Sequence, residues 1–118
     1  MNPTEAPNPY PRGAMFWANL DPVTGSEAAM TRPVLILSRN ASNRSAATVT
    51  MVPLSTSTHK LYSFEVYLEH PELPKPSKVQ AQHIRTIDKT RVGGFIAMLD
   101  PDDLALVEHA IKLHLALT

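Results

Sequence analysis

The 118-residue chain contains no cysteine. That excludes a disulfide framework, a thiolate nucleophile and a zinc site built on thiolates. It also lacks any apolar run long enough to span a bilayer, and no hydrophobic signal core is present near its start. A cytoplasmic protein is therefore expected. Net charge is missing as well, since 11 Lys and Arg balance 11 Asp and Glu. Taken alone, that argues against a nucleic-acid partner. The 5 histidines follow no spacing that resembles a metal site, so neither a metal nor another cofactor is expected.

Apolar residues make up 43% of the chain, enough for the core of one domain. The charges, although balanced, are not mixed. From residue 28 to 60 every charge is positive: Arg32, Arg39, Arg44 and Lys60. From 78 to 91, Lys78, Arg85, Lys89 and Arg91 face only Asp88. The acids collect at Glu65, Glu69 and Glu72 and again at Asp100, Asp102, Asp103 and Glu108. If the two basic segments fold beside each other, a neutral protein acquires a positive face.

Residues 1–11 carry Pro3, Pro7, Pro9 and Pro11 and read as a disordered tail ahead of a single domain, 12–118. Apolar and alternating stretches predict strands at 14–20, at about 32–38 and at 48–52, the last ending near Pro53-Leu54. Further strands are expected at 64–68 with Glu65 outward, at 78–84, and at 94–99. Residues 41–46 read as a small polar turn or one helical turn after Asn40, and 85–91 as a basic turn. The period then changes. Asp100 is a good N-cap, Pro101 fits the first helical position, and Asp102 and Asp103 suit the first turn. Leu104, Val107, Ile111 and Leu115 form one stripe of this C-terminal helix, and Leu106, Ala110, Leu113 and Leu117 a second. So wide an apolar surface predicts packing on the sheet plus contact with another subunit. The expected architecture is mainly β, a strongly curved antiparallel sheet or small barrel with a C-terminal helix.

Arg32 stands between the polar loop 21–31 and the apolar strand 33–37. Its guanidinium has a permanent charge near neutral pH and a fixed fork of donors suited to phosphate. It is either a phosphate ligand or a strand-edge residue whose charge snorkels to solvent. Glu27, Ser55 and Arg85 also fall at predicted strand ends, where loops present reactive groups on a firm support. A carboxylate, a guanidinium and a hydroxyl suit metal-free RNA cleavage. The 2′-hydroxyl must lose a proton, the phosphorane charge must be stabilised, and the 5′-oxygen must gain a proton. Arg suits the second task, Glu27 the first if its pKa rises, and Ser55 can donate to a phosphate oxygen. A histidine pair is the other metal-free route. Only His59 and His83 are placed to serve it, and it ranks below the Arg route.

The ordered segments Arg12-Gly13, Trp17-Ala18-Asn19-Leu20-Asp21-Pro22, Gly25-Ser26-Glu27, Thr31-Arg32-Pro33-Val34-Leu35-Ile36-Leu37-Ser38, Asn43 and Val52-Pro53-Leu54-Ser55-Thr56 resemble the signature of MazF/PemK-family toxins. Ile84-Arg85-Thr86-Ile87-Asp88-Lys89-Thr90-Arg91 resembles the family's second signature, and the likeness runs from about Arg12 to the end. The resemblance implies a small SH3-like barrel of the CcdB/PemK type with a terminal helix. It implies a homodimeric endoribonuclease that cuts single-stranded RNA, mRNA in the first place, without metal, leaving a 2′,3′-cyclic phosphate and a 5′-hydroxyl. The implied partner is a MazE-like antitoxin with an acidic, poorly ordered tail.

By position, Arg32 matches the family's catalytic Arg, Ser55 the catalytic hydroxyl that is usually Thr, and Glu27 an acid implicated in some members. Thr56 is the alternative source of the hydroxyl. The expected RNA contacts are Arg85, Gln82, His83, Thr56 and Asn40. Ala14 stands where an acid usually follows Arg-Gly, and Gln82-His83 where an acid and a Gln usually precede Ile-Arg. A ring at position 83 suits stacking or hydrogen bonding to a base. Two rivals remain. One is a CcdB-like toxin that binds DNA gyrase, which the ending Leu115-Ala116-Leu117-Thr118 disfavours. The other is a catalytically dead binding module, which the filled Arg32, Ser55 and Glu27 positions disfavour.

Overall fold

A computed structural model describes residues 8–20 and 31–118. Seven strands and two helices follow in the order β1 (Ala14–Asn19), β2 (Thr31–Ile36), α1 (Asn40–Ser45), β3 (Thr48–Ser55), β4 (Glu65–Leu68), β5 (Ser77–Gln80), β6 (Arg85–Asp88), β7 (Val92–Met98) and α2 (Pro101–Leu115). All the strand pairs are antiparallel, in the order β4-β5-β3-β2-β1-β7, with β6 also beside β3. The mainly β sheet with a C-terminal helix is as expected, and among the described residues the strand path is open rather than closed.

Three local departures from the sequence pattern shape the site. β3 runs through Pro53 to Ser55 because its last residues find partners of their own, Leu54 opposite Val79 and Ser55 opposite Lys78. The single strand expected over 78–84 is interrupted. A 3₁₀ turn, Ala81–His83, separates β5 from β6, so that both lie along β3, and the expected basic turn at 85–91 is half strand. Residues 8–11, expected within the tail, are docked: the Asn43 amide donates to the Tyr10 carbonyl (2.8 Å), and the Tyr10 and Phe16 rings lie 5.7 Å apart.

The pleat divides the core in two. Met15, Leu35, Val52, Leu54, Leu68 and Val79 meet the buried Val107 of α2, while Ala14, Phe16, Val34, Ile36, Met51 and Ile87 form the opposite cluster. α2 begins as its sequence dictates, with the Asp100 carboxylate accepting from the Asp102 N–H (2.8 Å) and Pro101 at the first position. It ends with Ala116 left-handed at φ 57°. Arg12 ties the N-terminal segment to this helix through Glu108 (2.7 Å) and to the Leu37 carbonyl (2.9 Å). Leu106, Leu113 and Leu117 of the second stripe are half or more exposed, at 56%, 50% and 58%, whereas Ala110 of the same stripe is buried.

Candidate active site

β2 and β3 pair Val34 with Pro53, Leu35 with Val52 and Ile36 with Met51. Beyond this ladder lie Arg32, near the start of β2, and Ser55, the last residue of β3, which pairs with Lys78 of β5. Arg32, half-buried, and Ser55 both line a cavity of about 400 Å³ at the ends of β2 and β3, together with Trp17, Thr56 and Lys75. The Ser55 hydroxyl accepts from the Ser57 N–H (3.1 Å). A hydroxyl has one proton and two lone pairs, so this turn fixes the oxygen and leaves its proton for an anion. The arrangement offers a phosphate one guanidinium and a cluster of hydroxyls on a rigid strand end.

The other expected residues divide. Glu27 lies outside the described residues. Arg85, on β6 opposite Met51, donates to the Leu20 carbonyl (3.2 Å), and Arg91 reaches the Asn19 carbonyl (3.5 Å). Both therefore hold the end of β1 that leads into residues 21–30, and Arg85 does not line the cavity. Asn40 is also apart from the cavity. Its side-chain carbonyl accepts from the Arg12 N–H (2.7 Å) and the Asn8 amide (3.1 Å), anchoring the N-terminal segment. His83 is exposed on the 3₁₀ turn. Gln82 donates to Glu65 (2.8 Å), while its own carbonyl oxygen is buried with no hydrogen-bond partner among the described residues.

Glu65 requires a correction. Its position in an alternating strand predicts an outward side chain, but the side chain is fully buried and bound to Lys78 at 3.0 Å. The same carboxylate accepts from the Tyr62 N–H (3.0 Å), and Lys78 also donates to the Lys60 carbonyl (2.9 Å). Burial by itself would raise the Glu65 pKa. The Tyr62 N–H, the Gln82 amide and the Lys78 ammonium outweigh it and hold the carboxyl below its ordinary value. Alternation did assign Glu65 to the correct face, shared with Tyr67. It could not show that the loop before β4 folds back over that face, because register between β4 and β5 is a tertiary property. Lys78, counted on the positive face, is neutralised here. β2 with Arg32 and β6 with Arg85 both pair with β3, so the two basic segments do fold beside the same strand. Trp17 and Lys75 are cavity residues that sequence reasoning missed. Only the tertiary meeting of β1, β3 and the loop between β4 and β5, which carries Pro74 and Lys75, reveals them.

Residues 11–115 match the family model described as a PemK-like, MazF-like toxin of type II toxin–antitoxin systems. The chain belongs to this family. It is similar to endoribonuclease MazF9 of Mycobacterium tuberculosis, with 34% identity over 90% of this chain and 96% of the relative. It is also similar to endoribonuclease EndoA of Bacillus subtilis, with 31% identity over 90% and 94%. Among solved structures, a MazE–MazF complex from Deinococcus radiodurans superposes with a TM-score of 0.78 at 29% identity, covering 92% of this chain and 96% of that one. A mycobacterial endoribonuclease in complex with its cognate antitoxin gives 0.71 at 28%, covering 92% and 94%. None of these relatives supports the gyrase-binding alternative.

Proposed function

We propose that the protein is a toxin-type endoribonuclease that cuts single-stranded RNA at the Arg32–Ser55 cavity. The observation that carries the reading is that Arg32 and Ser55 line one cavity at the ends of β2 and β3. The family match and two relatives named as endoribonucleases support it.

The chemistry is a transesterification. The 2′-oxygen bonds to phosphorus, the P–O5′ bond breaks, the 2′-proton passes to a base and the 5′-oxygen takes up a proton. The products are a 2′,3′-cyclic phosphate and a 5′-hydroxyl. Negative charge grows on the non-bridging oxygens at the phosphorane. Arg32 stabilises it there, where a fixed positive fork is worth most. Ser55 orients the phosphate through its free proton, with Thr56 adjacent. Glu27 is the candidate base, on its carboxylate chemistry and on the resemblance. Arg85 supports the site by holding the end of β1, and Gln82 and His83 remain candidate contacts to bases. The half-exposed leucines of α2 suit a homodimer, and an antitoxin with an acidic tail suits the basic face.

The test is to incubate the purified protein with a long single-stranded transcript in EDTA and map both new ends. Cyclic phosphate and 5′-hydroxyl ends are expected. Intact RNA, or 5′-phosphate ends, would overturn the reading.

A further inference from the structure

Tyr62 lies in the segment that joins β3 to β4. Its ring stacks on Phe64 with centroids 5.3 Å apart and planes within 7°. The Lys60 ammonium lies over the Tyr62 ring, 4.8 Å from its centroid, yet Tyr62 remains 44% exposed. A flat aromatic pair at the surface, covered only by a flexible lysine, gains little from burial.

What holds it is costly. Glu65 and Lys78 are buried as an ion pair whose side chains are 0% and 8% exposed. Well-packed apolar residues would stabilise a fold at least as well as such a pair. The pair does something an apolar cluster could not. Glu65 takes the Tyr62 N–H and Lys78 takes the Lys60 carbonyl, so both sides of Leu61 are pinned. Lys78 is also the cross-strand partner of Ser55, and its ammonium is 5.9 Å from the Tyr62 centroid. The Lys78 side chain thus runs from the residue paired with the candidate catalytic hydroxyl to the aromatic pair.

We propose that Tyr62, backed by Phe64, is a stacking subsite for a nucleobase of the substrate strand, the base replacing Lys60 over the ring and the displaced lysine meeting the adjoining phosphate. The proposal rests on the nuclease reading above and deepens it. Base stacking on an aromatic ring tolerates any base, and a pinned loop spares the ordering cost on binding. The Glu65–Lys78–Gln82 cluster acts as a positioning device for this surface.

The experiment measures affinity for a single-stranded transcript made as 2′-O-methyl RNA, which cannot react, and cleavage of the same sequence as RNA. Tyr62→Phe should bind as wild type does. Tyr62→Leu and Tyr62→Ala should weaken binding roughly tenfold or more with an unchanged melting temperature. Lys60→Ala should lower the salt slope of binding by roughly 0.7. Wild-type affinity in Tyr62→Ala would overturn the subsite. So would a Tyr62→Ala chain that keeps its RNA affinity but loses an acidic antitoxin peptide, which would assign the stack to a protein. Wild type that binds the methylated strand through Tyr62 but cuts no RNA would sink the nuclease reading and leave the subsite standing.

Discussion

Lys78 stands directly opposite Ser55 across β3 and β5, yet its ammonium turns to Glu65 at 3.0 Å. The lysine beside the candidate hydroxyl therefore adds no net charge to it, and Arg32 and Lys75 are the cations that line the cavity.

Removing the Glu65 charge leaves that ammonium buried and uncompensated. Glu65→Gln should cost about 3–5 kcal/mol in urea unfolding, while Glu65→Gln combined with Lys78→Met should recover much of the loss. A single variant as stable as wild type would show that the pair is not buried in solution.

The same carboxyl sets a pH dependence. Its folded pKa lies below the ordinary 4.5. Its contribution is thus complete above that value and lost as pH falls through the lower, folded-state value. Asp88 acts in the same direction, held low by the Thr90 N–H and hydroxyl and by Arg91. Unfolding free energy should therefore fall on acidification from pH 5, and less steeply in the Glu65→Gln, Lys78→Met double variant. Equal slopes would contradict the assignment.

Asn43 is fully buried, and its amide donates to the Tyr10 and Ser38 carbonyls at 2.8 Å each, while the Ser38 hydroxyl donates to its carbonyl. Asn43→Leu would strand these groups. A loss of about 2–4 kcal/mol is expected in thermal or urea unfolding, with earlier proteolysis of the N-terminal segment.

Ala116 closes α2 in the left-handed region, where the Leu117 N–H bonds to the Lys112 carbonyl (2.8 Å). Glycine adopts that conformation without strain. Ala116→Gly should stabilise the protein by about 0.5–1 kcal/mol, read as a raised melting temperature.

These cases show what the sequence carried. Asp100-Pro101 announced α2 because capping is local, and the alternation of 64–68 announced β4 because its inward Val66 and Leu68 repeat every second residue. Arg32 and Ser55 were legible as strand-end residues. Their meeting at one cavity was not, since it depends on how β2 and β3 pair. Glu65 was misjudged for the same reason: a local pattern shows which face a side chain takes but not what covers it. Arg85 and Asn40 carry the chemistry of RNA contacts, yet in the folded chain backbone carbonyls and N–H groups engage them.

The central claim is that Arg32 stabilises the phosphorane. Its most direct test is the single-turnover cleavage rate of Arg32→Ala against wild type, in EDTA, on one transcript, with affinity for the 2′-O-methyl strand measured in parallel. The account predicts that affinity stays within a few-fold while cleavage falls by roughly 100-fold or more. Cleavage at the wild-type rate in a folded Arg32→Ala chain would contradict it.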